Sequence, residues 1–110
     1  MEGPLRGHER LDQRSLALHR AIAEKLRAHP ELIAIAKENL ERWSATEDPR
    51  SRRYSEAWQE ILNLPMTEIL RLITEESERM TAMRQATPFA GVLDPAERWA
   101  VYDQFAAQNP

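Results

Sequence analysis

The stretch from Arg84 to Trp99 sets the terms on which the rest of this chain can fold. Thr87-Pro88 stops a helix, because proline lacks an N–H and pushes the residue before it out of the α conformation. Gly91 admits dihedral angles that other residues resist. Asp94-Pro95-Ala96-Glu97 then starts a new helix. Asp94 can accept from the backbone N–H of Glu97, Pro95 suits the first helical position, and Glu97 can reach back as a capping-box acid. Between the two prolines lie Phe89, Val92 and Leu93, too apolar for a solvated linker. Helical patterns flank the stretch on both sides. The spacing therefore predicts an all-α chain with one extended apolar connection before its last helix. That connection either folds back as a lid on the helical core, the favoured disposition, or inserts into a partner's groove.

Only three glycines and few runs of Val, Ile or Thr agree with helices rather than sheets. A chain of 110 residues suits one domain with a modest core. Residues 1–10, with Gly3, Pro4 and Gly7, read as a flexible tail. Residues 11–107 then form a single compact bundle of five to six helices. The first runs from about Leu11 to Ala28, with Leu11, Leu18, Ile22 and Leu26 as its buried stripe. His29-Pro30 ends it and opens a second helix to about Trp43, with Ile33, Ala36, Leu40 and Trp43 inward.

Ser44 to Arg53 has no core residues, one proline and several charges, and reads as an exposed loop. A third helix is expected from about Ser55 to Asn63, with Tyr54, Trp58, Ile61 and Leu62 inside. Pro65 starts a fourth, carrying Met66, Ile69, Leu70 and Ile73. Thr74 to Glu78 is polar enough to suggest a break, with Thr74 capping a weak helix that buries Met80 and Met83. In the last helix, from Pro95 to about Ala106, Trp99, Tyr102 and Ala106 share a face with Phe105 beside it.

The chemistry-bearing residues do not converge. His8, His19 and His29 lack the short helical spacing of metal ligands, so they read as surface or boundary histidines and no metal site is expected. Glu75, Glu76 and Glu78 form a run too polar for a dry catalytic cleft. No nucleophile elbow and no glycine-rich phosphate loop is present, and cysteine is absent. The chain is therefore expected to be no enzyme and to need no cofactor. No apolar run is long enough to span a membrane, and the N-terminus lacks the core of a signal peptide, so a cytoplasmic protein is expected.

Net charge is −3, which gives no global attraction to nucleic acid. It is unevenly spread: residues 1–29 carry six Lys/Arg against four Asp/Glu, whereas residues 66–110 carry four against seven. Arg50, Arg52 and Arg53 beside Tyr54 make a small basic and aromatic cluster on the expected loop. The helix pair 11–43 has the outline of a helix-turn-helix. Its second helix, however, sets Glu31, Glu38 and Glu41 against Lys37 and Arg42, where a DNA reader offers cations and amides. A DNA-binding transcriptional regulator is thus the alternative, not the main reading.

The runs Ser15-Leu16-Ala17-Leu18-His19-Arg20, Asn39-Leu40-Glu41-Arg42-Trp43, Arg84-Gln85 through Leu93, and Glu97-Arg98-Trp99 together resemble a group of small, largely uncharacterised bacterial helical proteins of the antitoxin type, partners encoded beside a toxin. The resemblance spans about residues 11–105; the arm from Met1 to Arg10 has no role in it. It implies a protein–protein interaction module that covers a partner enzyme. The partner-binding residues expected on that basis are Arg84, Phe89, Val92, Leu93, Arg98 and Trp99. Phe89 and Leu93 would be apolar anchors, and Arg84 and Arg98 forked donors to carboxylates or carbonyls.

Overall fold

In the computed structural model, which describes residues 7–46 and 48–109, the helices are α1 (Gly7–Ala28), α2 (Ile33–Ser44), α3 (Pro49–Leu62), α4 (Met66–Ile73), α5 (Glu78–Gln85) and α6 (Pro95–Gln108), with a 3₁₀ turn at Pro30–Leu32 joining α1 to α2. No strand occurs among the described residues. α1 is the axis of the bundle, with α4, α5 and α6 packed against it; α2 pairs with α3, and α3 leads back to α4. The core they enclose centres on Leu26, Ala36, Trp58, Ile73 and Met80, all fully buried.

Capping side chains fix the starts of α3, α5 and α6. Asp94 and Glu97 form the expected capping box, Asp94 N donating to Glu97 Oε1 at 2.9 Å and Glu97 N to Asp94 Oδ1 at 2.8 Å. The same chemistry operates at a place where a loop was expected. Asp48 Oδ1 accepts from Arg50 N and Ser51 N at 2.9 and 3.0 Å, and Pro49 takes the first turn, so α3 begins six residues before Ser55. Arg50, Arg52 and Arg53 thus project from a helix rather than from a loop. The break after α4 is present, but Ser77, not Thr74, caps α5: Ser77 Oγ accepts from Met80 N at 3.2 Å. Thr74 Oγ1 instead donates back to Leu70 O at 2.9 Å, a bond within its own helix that leaves it no capping role. At the N-terminus α1 begins at Gly7, inside the expected tail; Met1 to Arg6 lie outside the described residues.

Two expected faces are rotated. The buried stripe of α1 is Leu16, His19, Ile22, Ala23 and Leu26, while Leu11 is 53% exposed and Leu18 only partly covered. At 3.6 residues per turn, Leu11 and Leu18 lie about a quarter turn from the centre of that stripe, which a histidine occupies. In α6 the buried residue is Phe105, and Trp99 is 62% exposed. The inner faces of α3, α4 and α5 hold Trp58, Ile61, Leu62, Ile69, Leu70, Ile73, Met80 and Met83 as the periodicity predicts.

Trp58 is completely buried and its indole Nε1 donates to Met83 O at 3.1 Å. Trp58→Ala removes both the packing and that bond, and a cost of about 3–5 kcal/mol is expected in urea denaturation. Asp48→Ala tests the cap of α3: a loss of about 1 kcal/mol is expected by the same measurement, whereas a loop at this position would give none.

Candidate functional site

The segment from Ala86 to Asp94 folds back as the lid. Phe89 and Val92 are almost wholly buried and Leu93 is 8% exposed. Phe89 stands edge-on to the Trp58 ring, with centroids 5.6 Å apart, and edge-on to the His19 ring at 6.1 Å. A turn closes from Val92 N to Phe89 O at 3.2 Å, with Gly91 in its third position at φ 96°. That dihedral is one that only glycine adopts without strain.

Irregular backbone buried in a core needs donors for its carbonyls. Asn39, buried on α2, supplies two: its Nδ2 donates to Pro88 O at 2.7 Å and to Ala90 O at 3.0 Å. Its Oδ1 accepts from Arg42. From the other side comes a chain of bonds through His19. Ser15 O is an acceptor, so the His19 Nδ1 bonded to it at 2.7 Å carries the proton. His19 Nε2 then accepts from Thr87 Oγ1 at 2.8 Å, and Thr87 Oγ1 in turn accepts from Phe89 N at 3.2 Å. Burial lowers the His19 pKa from 6.5 to about 4; the bond to Ser15 O opposes this and Arg84 adds to it. The ring is therefore neutral in the fold at pH 7.

Arg84 is 3% exposed, and its work is internal. Nη1 donates to Ile73 O at 3.2 Å and to Glu75 O at 2.8 Å, tying the end of α4 to α5 across the break. Nε has no hydrogen-bond partner. Burial, and then nearby Arg20, lower its pKa, while Asp12, Glu76 and Glu75 oppose the shift. Of the acids considered in the sequence, Glu75 pairs with Arg71 at 3.2 Å and Glu76 with Arg20 at 2.6 Å on the surface, and Glu78 is exposed in the first turn of α5. No group of three or more His, Asp or Glu is placed to hold a metal ion among the described residues. Nor is any described helix long and apolar enough to cross a membrane.

The six residues expected to meet a partner are thus not one surface. Arg84, Phe89, Val92 and Leu93 are inside the fold, occupied with α4, α5 and the core. Arg98 and Trp99 are on the outside of α6. What the structure brings together around Trp99 is different: Tyr102 edge-on to it at 5.7 Å, Leu11 on α1, and Arg14 with its guanidinium 4.9 Å from the Tyr102 ring centre. Arg10 lies over Phe105 at 5.1 Å and donates to Asn109 O. These residues line a groove of about 500 Å³ between antiparallel α1 and α6. The sequence pattern does not reveal Leu11, Arg10 and Arg14 as a surface because it places Leu11 in the core. It misses His19 and Asn39 because an apolar pattern does not register polar residues on a buried stripe.

No protein-family model, no curated protein and no solved structure matches this chain.

Two measurements check the lid. Asn39→Asp replaces a donor with a carboxylate facing two carbonyls, so it should destabilise more than Asn39→Ala, itself expected to cost about 1–3 kcal/mol for the carbonyls left unpaired. The His19 pKa in the fold lies below its unfolded value, so the stability linked to its neutral form is complete above pH 6.5 and is lost as the pH falls towards about 4. Urea midpoints across that window should fall more steeply for the wild type than for His19→Gln, and an assigned His19 imidazole titrating near 6.5 by NMR would refute the assignment.

Proposed function

We propose that this chain is a protein–protein interaction module of the antitoxin type, which binds and covers a partner enzyme. The observation that carries the reading is the exposed face of α6. Trp99 is 62% exposed, with Leu11 at 53% beside it, and large rings of this kind are the anchors of protein interfaces. The resemblance to antitoxin-type helical proteins adds to it and supplies the kind of partner. Trp99 and Arg98 keep the role that resemblance implies. Phe89, Val92, Leu93 and Arg84 hold the shape from which α6 is presented.

The surface of α2 offers less to nucleic acid. The outward side of α2 carries Glu38 and Glu41 beside Lys37 and Arg42, which favours no phosphate backbone.

The experiment is capture of neighbour-encoded proteins from the native organism with tagged wild type and with Trp99→Glu, followed by assay of the captured protein's activity with and without this chain. One stoichiometric partner, inhibited by the wild type and lost with Trp99→Glu, is the expected result. Circular dichroism of Trp99→Glu should match the wild type, since the ring is outside the core, whereas Phe89→Asp should unfold. Capture of no protein, or of DNA alone, would overturn the reading.

A further inference from the structure

The charges around the Trp99 groove specify more than an apolar contact. Several other surface cations are matched, Arg20 with Glu76, Lys25 with Glu97, Arg27 with Glu24, and Arg71 with Glu68 and Glu75, whereas the exposed Arg50, Arg52 and Arg53 of α3 are not, and none of those three lines an apolar groove as Arg10 and Arg14 do. Arg10, Arg14 and Arg98 pair with no carboxylate among the described residues. Arg10 and Arg14 rest over aromatic rings instead, their guanidinium carbons 5.1 and 4.9 Å from the ring centres of Phe105 and Tyr102. A guanidinium stacked in this way keeps in-plane N–H donors at its edge, geometrically suited to carboxylates. Among the described residues the only carboxylate lining the groove is Asp103.

Shape agrees with charge. The groove runs between two antiparallel helices, so a third helix can lie along it with residues at i, i+3 and i+4 facing Leu11 and Trp99. α6 is also short of burial on its own account. Of its fourteen residues only Phe105 is buried, and α1 is its main support. A helix on its open side would cover Trp99 and Tyr102. A phosphate backbone fits less well, because Asp103 sits in the groove and an exposed leucine and indole gain nothing from phosphate.

Resting on the interaction reading above, we propose that the α1–α6 groove receives an acidic amphipathic helix of the partner protein, with an aliphatic side chain between Leu11 and Trp99 and carboxylates on Arg10 and Arg14. The partner is thereby held by a segment negative on the flanks and apolar along one stripe. Its affinity is sensitive to salt, because the arginines at the rim remain open to solvent.

The test uses a displayed library of random helical peptides selected against the full chain. Recovered peptides should carry Leu, Ile or Met at helical spacing, flanked by Asp and Glu. They should weaken roughly tenfold or more against Arg14→Glu, and likewise against Trp99→Glu, and also at high salt. Both substitutions are at exposed positions, and circular dichroism and urea midpoints establish that each variant is folded. Recovery of basic or neutral peptides, recovery of none, or equal binding to Arg14→Glu would overturn the proposal. So would a wild-type dimer in sedimentation that Trp99→Glu makes monomeric, since a second copy would then own the face, and so would binding of duplex DNA that Arg14→Glu abolishes. The two readings fail separately: a native partner captured equally by wild type and Arg14→Glu but lost with Trp99→Glu keeps the interaction reading and removes only the acidic helix.

Discussion

The fold depends on two hydrogen bonds from one amide. Asn39 Nδ2 reaches Pro88 O and Ala90 O, the carbonyls that an irregular segment would otherwise bury without donors. With them satisfied, Phe89 can enter the core against Trp58, and Val92 and Leu93 can follow it around the Gly91 turn. The His19 to Thr87 bond anchors the start of the same segment from α1. The lid is thus held from α1 and from α2, and apolar burial seats it between those polar ties. An apolar lid with no such ties would carry unpaired backbone groups into the core, at a cost comparable to what its side chains gain.

Much of this architecture was legible in the chain because helix boundaries are written in local chemistry. Asp94-Pro95-Ala96-Glu97 states a helix start completely, and the capping box is there. Asp48-Pro49 states one almost as clearly, yet the arginines that follow resemble a solvated loop and hide it. The deeper misreading came from treating core as a synonym for apolar. In α1 the centre of the buried stripe is His19, so a search confined to leucines sets the face about a quarter turn away and places Leu11 inside. In α6 the aromatic spacing is genuine, but it describes a solvent face; the ring that packs is Phe105. Patterns of hydrophobicity give the existence of a face, and only long-range partners decide which way it points. Ser15, Thr87, Pro88 and Ala90, which satisfy His19 and Asn39, are distant or nondescript in sequence.

The same division bears on function. Of the residues in the runs from which the interaction reading starts, His19, Asn39, Arg84, Thr87 and Phe89 are occupied in closing the lid and joining α4 to α5. They define a scaffold, whatever partner that scaffold meets. A surface suited to recognition is found at Trp99, Tyr102, Leu11 and the stacked arginines, where side chains are held in place but not used up.

The slender attachment of α6 has a further consequence for motion. α6 is held to the bundle chiefly through α1, by Phe105, the bond from Lys25 to Glu97, Arg14 over Tyr102 and the contact of Arg10 with Asn109. Opening this helix exposes one large ring, while opening α3 or α4 breaches the core. Its amides therefore exchange with solvent through a local detachment, well below the free energy of global unfolding. A ligand on its outer side would slow that exchange selectively, so occupancy of the face is recorded in the protection of a helix whose own packing scarcely supplies any.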